Sequence, residues 1–347
     1  MFTFSNHARR AGTTFVLGCL ALLALSAPVR AQAPLKIKFT MDWRFEGQTS
    51  FMWLGLQRGY FQKEGLDVQV DAGTGSTAAI QRIHTGAYDI GLGDTSALIE
   101  YVGNFPGQQK LQMVYLQYDE APLAYYALKK SGVKTISDLA GKSITGAPFE
   151  VTRKMFPIFA KAAKIDPNSV KFVTVDGALR SNAVIKGEAI ACGGFLTVPL
   201  EFEARGVKRS DIVELKVSDL GVRFYGNGVM VSTKLINENP KAVAGFIRAL
   251  NRSFRESLAE PEASIKALKA REPLAEEKTE MERFTLLMPA ILTGRTRESG
   301  LGAIDKLTLD LLVDNIASAV QLKSRPNPDL VFNSSFLPPK SERMPLK

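Results

Sequence analysis

The sequence predicts an α/β protein of two lobes joined by a hinge of two crossing strands. Three observations carry this expectation. From residue 35 onward strand-like runs alternate with helical ones, a second cycle of the same order follows the first, and β-rich segments bracket that second cycle. Alternation of this kind builds βαβ units, in which parallel strands are covered by helices.

The first cycle reads as strand "LKIKFT", amphipathic helix "SFMWLGLQRGYF", strand "LDVQV", helix "STAAIQRIHTG", strand "YDIGLG" and helix "TSALIEYV". Gly59 and Gly65 flank the short corner "YFQKE", and Gly86 ends the next helix; glycine suits a helix C-terminus because the chain turns there with positive φ. The stretch "VDAGTGSTAAIQRIHTGAYDIGLGDTSAL" (70–98) is echoed by "VDGALRSNAVIKGEAIACGGFLTVPL" (175–200) as strand, Asp, glycine-containing loop, helix, glycine, strand and new helix. Two such lobes present loops at the C-terminal ends of parallel strands, and a cleft between them is where a ligand binds. "LQMVYLQY" (111–118), "PLAYYALKK" (122–130) and "VRFYGNGVMVS" (222–232) read as the strands that leave lobe one and return to it. The amphipathic helices "NPKAVAGFIRALNRSFRESLAEP", "EEKTEMERFTLLMPAIL" and "AIDKLTLDLLVDNIASAV" follow, with Pro240 at a helix start. The expected boundaries are 34–119 plus 229–347 for lobe one and 120–228 for lobe two.

The N-terminus points to export. "MFTFSNHARR" is basic, "AGTTFVLGCLALLALSA" is apolar, and "APVRAQA" supplies small residues, so residues 1–31 read as a cleaved signal peptide ending at Ala31 or Ala33. The apolar run continues past Cys19, which disfavours a lipid-attachment cysteine. The chain carries a formal charge of +9, and loss of Arg9, Arg10 and Arg30 with the leader leaves +6. Lysines and arginines are scattered among acids without a basic stripe, so nucleic acid is not an expected partner. After the leader one cysteine, Cys192, and one histidine, His84, remain. No internal disulfide, no metal cluster and no cofactor are expected, and a Ser-His-Asp or Cys-His site would have to use that single histidine.

The residues "MDW", "LGLQRGYFQKEGLDVQV", "GAYDIGLGD", "SDLAGKSI" and "NPKAVAGFIRAL" resemble the solute-binding proteins of bacterial ABC importers for nitrate, sulfonates, taurine and thiamine pyrimidine precursors. The resemblance covers nearly all of the chain after the leader. It implies a two-lobed periplasmic binding protein of the second topological class, with a small-molecule ligand between the lobes and a cognate permease and ATPase as partners. Contact with the membrane would run through the permease, and a monomer suits that delivery. The pyrimidine-precursor branch continues its Asp-Trp with Pro-Asn and a histidine, whereas here Arg44, Phe45, Glu46, Gly47 and Gln48 follow Asp42 and Trp43.

Candidate ligand-binding residues follow from the loops. "GTGS" at 73–76 lacks the Gly-Lys-Ser/Thr ending of a nucleotide P-loop, which argues against phosphate chemistry. In the resembled family this loop lines the cleft, so Thr74, Gly75 and Ser76 are expected to meet the ligand at a helix N-terminus, as are Thr95 and Ser96 after Asp94. The aromatic residues Trp43, Phe45, Tyr118, Phe149, Phe195 and Tyr225 suit stacking of a planar ring. Asp42, Gln48, Glu150 and Arg180 supply polar contacts, and Gly194 allows close backbone approach. Acids mixed with donors suit a neutral or amino-bearing heterocycle, or an aromatic acid clamped by one arginine. Sulfonate, taurine or nitrate is the alternative ligand. An enzyme on the same fold is the rival class, disfavoured because His84 and Cys192 fall in different lobes, and Cys192 reads as a small apolar filler.

Overall fold

The computed structural model describes residues 1–2, 33–148 and 150–346. The signal-peptide expectation at 1–31, apart from Met1 and Phe2, and the candidate Phe149 lie outside the described residues. The chain divides into Met1–Pro34 and Leu35–Lys347. In the first unit, the described residues Met1, Phe2, Ala33 and Pro34 carry no helix or strand.

The second unit holds two five-stranded sheets of matching design. In the first, β1 (Leu35–Thr40) pairs in parallel with β2 (Leu66–Asp71) and β3 (Ile90–Asp94). Two further strands complete it, β4 (Leu111–Leu116) and β10 (Asn227–Ser232), in the order β2-β1-β3-β10-β4. The second sheet contains β5 (Leu123–Leu128), β6 (Ser143–Thr145), β7 (Lys171–Val173), β8 (Ala191–Phe195) and β9 (Ile212–Lys216), in the order β7-β6-β8-β5-β9. Each sheet has three parallel strands, then one antiparallel strand contributed by the chain as it enters from the other side. Both sheets are therefore mixed. The alternation of strand and helix accounts for their parallel parts, and the crossing chain adds the antiparallel strands.

The echo between 70–98 and 175–200 maps onto equivalent places, β2 through β3 in one sheet and β7 through β8 in the other. Gly59, Gly65 and Gly86 take the left-handed conformation that their positions at helix ends require. The chain crosses outward at 117–122 and back at 217–226. The two crossings are tied to each other, with Gly226 N–H donating to Tyr118 O at 3.0 Å and Ala121 N–H to Phe224 O at 2.8 Å. The segment 222–226 is thus not part of a strand; its backbone groups bond to the other crossing instead of to a sheet.

The long helix Pro240–Ala259 starts with proline at its first turn, where the missing N–H costs nothing. Val243, Phe246, Leu250 and Phe254 recur at helical spacing and are buried against the first sheet. Phe246 stacks on Phe39 of β1 at 5.7 Å between ring centroids. On the hinge side, apolar packing is continuous between the sheets: Phe159, from the helix Phe156–Ala162, meets Phe224 edge-on at 5.1 Å. Among the described residues no helix is long and apolar enough to cross a membrane.

Candidate functional site

A cavity of about 620 Å³ lies between the two sheets. From the first-sheet side it is lined by Asp42, Trp43, Arg44, Glu46 and Gln48 after β1, by 73–76 after β2, by Gln117 and Tyr118 of the outward crossing, by Asn227 opening β10, and by Arg283. From the second-sheet side come Glu150, Val151 and Thr152, 174–177, Arg180, Gly194 and Phe195 of β8, Thr197 and Glu201. Loops at the C-terminal ends of β1, β2, β6, β7 and β8 therefore converge, as expected of facing α/β sheets.

Of the sequence-derived candidates, the cavity brings together Asp42, Trp43, Gln48, Thr74, Gly75, Ser76, Tyr118, Glu150, Arg180, Gly194 and Phe195. Phe45, Asp94, Thr95, Ser96 and Tyr225 stand away from it. Phe45 turns from the cavity onto the edge of Trp53, with centroids 4.7 Å apart, because the helix Ser50–Gln57 offers it apolar surface. Asp94 is buried as the cap of helix Thr95–Asn104 and accepts from the N–H groups of Ser96 at 2.7 Å and Ala97 at 3.3 Å. Thr95 is turned inward to donate to Gly226 O at 2.6 Å, and Ser96 is fully buried. Tyr225 accepts from Asp305 N–H at 2.9 Å through its hydroxyl, which draws its ring out of the cleft.

The glycine loop has a structural duty. Gly73 N–H donates to Trp43 O at 2.9 Å and Gly75 N–H to Asp42 O at 2.6 Å. A Cβ on Gly73 would sit 2.0 Å from Met41 O, so only glycine lets the loop lie against the end of β1. These hydrogen bonds hold Asp42 at the start of helix Ser76–His84, where its Oδ2 accepts from Ser76 Oγ at 3.3 Å and from Asn227 Nδ2 at 2.6 Å. Burial raises the Asp42 carboxyl above the ordinary range, and the Asn227 and Ser76 bonds oppose that rise. Tyr118 stays protonated: burial, with Asp42 and Glu46 nearby, pushes its phenol well above the usual value. Phe195 of β8 meets Tyr118 edge-on at 6.0 Å, so the aromatic wall draws one ring from each side.

On the opposite wall Arg180 lies 8% exposed between two carboxylates. Its Nε and Nη2 donate to Glu201 at 3.3 and 2.5 Å, and its Nη1 donates to Glu150 at 3.3 Å. A Cβ on Gly194 would fall 3.0 Å from Arg180 Nη1, so the bare strand makes room for the guanidinium. Burial works against the charge on Arg180, while the Glu201 and Glu150 carboxylates hold it ionised. Burial also raises the Glu150 carboxyl, opposed by Arg180. Trp43 reaches across the cleft, and a Cβ on Gly177 would lie 2.9 Å from its ring.

Sequence reasoning did not single out Gln117, Asn227, Arg283 or Glu201 as ligand contacts. Glu201 had a readable signal: it sits in the first turn of the helix Val198–Glu203, just past the C-terminal end of β8. Asn227 and Arg283 had none, since the return crossing and a distant helix bring them in. Cys192 is wholly buried in β8, and burial pushes its thiol up, which makes it inert. His84 ends its helix with Nδ1 2.6 Å from the Tyr101 hydroxyl. Neither residue lines the cavity. Among the described residues no group of three or more His, Cys, Asp or Glu side chains is placed to hold a metal ion.

Comparisons with known proteins agree with this geometry. The chain is 25% identical over 253 residues to the riboflavin-binding protein RibY of Chloroflexus aurantiacus, covering 69% of each chain. It is 23% identical over 260 residues to the formylaminopyrimidine-binding protein of Halalkalibacterium halodurans, covering 73% of this chain and 76% of that one. It is 22% identical over 262 residues to a 4-amino-5-hydroxymethyl-2-methylpyrimidine phosphate synthase of Legionella pneumophila, covering 75% and 81%. Its fold matches that of the alkanesulfonate-binding protein SsuA of Xanthomonas axonopodis pv. citri, solved bound to MOPS, with a TM-score of 0.65, 15% identity, and 86% and 96% coverage. The periplasmic nitrate-binding protein NrtA of Synechocystis PCC 6803 matches with a TM-score of 0.57, 13% identity, and 72% and 70% coverage. The two-lobed fold is that of periplasmic binding proteins, and the model of the family described as NMT1/THI5 like matches residues 47–264, so the chain belongs to that family.

Proposed function

We propose that this protein is an extracytoplasmic solute-binding protein that delivers a small planar, ring-containing organic molecule to an ABC importer. The observation that carries the reading is the cavity of about 620 Å³ lined by both lobes beside a two-segment hinge. At roughly 30 Å³ per water in the liquid, that volume equals about 20 waters, which suits a substituted ring far better than nitrate. Trp43, Tyr118 and Phe195 offer aromatic surface for such a ring. The names of the Chloroflexus and Halalkalibacterium relatives, riboflavin and formylaminopyrimidine, favour the same class.

The open form exposes loops from both lobes, the solute bridges them, and the crossings at 117–122 and 217–226 absorb the rotation. Solute stabilises the closed form only through contacts that the open form lacks, which puts the weight on Glu150, Arg180 and Phe195 across the cleft. Export through residues 1–31 would place the protein in the periplasm, as a monomer that meets the membrane through its permease.

Sulfonate or nitrate is the second reading, favoured by the fold match to the alkanesulfonate-binding and nitrate-binding proteins. A synthase reading is prompted by the name of the Legionella relative. It is weakened because neither Cys192 nor His84 lines the cavity, and nucleophilic or acid–base work needs such groups in contact with the solute. A thermal-shift screen of purified protein, stripped of carried-over solute, tests the proposal with aminopyrimidines, riboflavin, aromatic carboxylates, alkyl sulfonates and nitrate. A solute at a hundred times its Kd adds about 2.7 kcal/mol, enough to raise Tm by several degrees. A shift with ring compounds supports the reading, and a shift confined to sulfonates or nitrate overturns its ligand class.

A further inference from the structure

Three side-chain amides of the cleft spend their N–H donors on the protein itself and leave their oxygens over. Asn227 Nδ2 donates to Asp42, Gln117 Nε2 to Gln48 O at 3.3 Å, and Gln48 Nε2 to Glu46 at 3.0 Å. The amide oxygens of the same three side chains, Asn227 Oδ1, Gln117 Oε1 and Gln48 Oε1, have no donor among the described residues. Asn227 and Gln117 are each only 4% exposed, so bulk water does not readily serve them. A buried acceptor without a donor is costly, and a bound solute with N–H groups relieves that cost.

Carboxylates of the chain take or face the places where an anion would sit. Asp94 caps helix Thr95–Asn104 through the N–H groups of Ser96 and Ala97, and Asp42, which accepts from the Ser76 hydroxyl and not from helix N–H groups, sets a carboxylate beside the uncapped start of helix Ser76–His84. The loop N–H groups of Gly73 and Gly75 go to backbone carbonyls. Arg180, the most buried arginine lining the cavity, faces Glu201 through two nitrogens and Glu150 through a third. Two carboxylates against one guanidinium leave that wall with a net negative charge. Arg283 faces Glu46 at 3.5 Å and Glu280 at 3.4 Å, with its buried Nε making no hydrogen bond among the described residues, and Arg44 is exposed to solvent.

We infer that the Glu150–Arg180–Glu201 cluster is a charge filter: it cancels the buried arginine and reserves the cleft for a neutral or cationic ring rich in N–H donors, against nitrate and sulfonates. The inference rests on the solute-binding reading above and narrows its ligand class. Glu201 is the main specificity residue, because it engages two of the three Arg180 nitrogens, and Glu150 is the lesser one. Rejection works by leaving an incoming anion beside uncompensated carboxylates and donorless amide oxygens, where a favourable partner is lacking.

The test measures binding by calorimetry to the purified protein. The probes are 4-amino-5-hydroxymethyl-2-methylpyrimidine, its N,N-dimethylamino analogue, riboflavin, methanesulfonate and nitrate. Wild type is expected to bind an amino-bearing ring, to bind the dimethylamino analogue at least tenfold more weakly than the amino parent, and to ignore both anions. Glu201→Gln keeps the side-chain shape and frees much of the Arg180 charge, so its affinity for methanesulfonate should rise at least tenfold. Should that variant fail to fold by circular dichroism, Glu150→Gln carries the same test with a smaller gain. Wild type that binds methanesulfonate or nitrate as tightly as any ring overturns the filter while leaving solute binding intact. Folded variants as blind to anions as wild type overturn it too. Wild type that binds none of the probes overturns the solute-binding reading, and the filter with it.

Discussion

Asp94→Asn separates a helix cap from a ligand contact. Asp94 ends β3, is 1% exposed, and accepts from the N–H groups of Ser96 and Ala97 at the start of helix Thr95–Asn104. Burial, opposed by those hydrogen bonds, lifts its carboxyl from 3.8 to about 6. A native carboxyl with a raised pKa binds its proton more tightly than the unfolded chain does. Its contribution is therefore most favourable below pH 3.8 and is lost as pH rises through 6. The shift of about two pH units corresponds to roughly 3 kcal/mol between the two limits.

Asparagine preserves an acceptor for both N–H groups and carries no charge, so this pH dependence should vanish in the variant. Its new amide donors add a constant penalty of about 1–3 kcal/mol where they find no partner, which makes the slope the informative quantity. Urea unfolding at pH 4, 5, 6 and 7.5 should show the stability of wild type, relative to Asp94→Asn, falling by up to about 3 kcal/mol across the range. Parallel pH profiles for the two proteins would refute the reasoning. Solute affinity should be unchanged, because Asp94 lies outside the cavity. A variant of normal stability that has lost its solute would return Asp94 to the binding site.

Three further outcomes follow from the same geometry. Trp43→Ala removes the ring that spans the cleft toward Gly177 and should cost at least tenfold in affinity, about 1.4 kcal/mol, with circular dichroism unchanged; full affinity in calorimetry would relegate Trp43 to packing. Two ion pairs bridge the lobes, Lys154 to Glu100 at 2.9 Å and Arg209 to Glu282 at 2.9 Å, all partly exposed. At about 0.2–1 kcal/mol each, the Glu100→Gln/Arg209→Gln double variant should weaken solute binding by about 2- to 30-fold at low salt, and added salt should narrow the gap to wild type; equal affinities at low salt would show that the pairs do not favour closure. Gly73→Ala sets a methyl against Met41 O and should lower stability by more than about 2 kcal/mol in urea melts, whereas a variant as stable as wild type would mean the loop has room to yield.

Much of this protein is determined locally. The alternation of strands and helices, the left-handed glycines at 59, 65 and 86, the proline that opens the helix at 240, and the echo that gives two matching sheets all follow from short-range pattern and backbone sterics. The loops after β1, β2 and β8 were readable as cleft loops for the same reason, since strand ends and helix starts mark themselves in sequence. Tertiary structure alone decided which side chains turn inward. Phe45 and Trp43 are two residues apart, yet one packs on Trp53 and the other on Gly177, because the choice depends on surfaces that other segments provide. Asp94 looked like a ligand contact until the helix behind it took both of its hydrogen bonds. Asn227 and Arg283 enter the site through long-range closure of the chain, and the electrostatic character of the cleft depends on which carboxylate finds which arginine. Charges scattered through a sequence have no sign as a site until the fold pairs them.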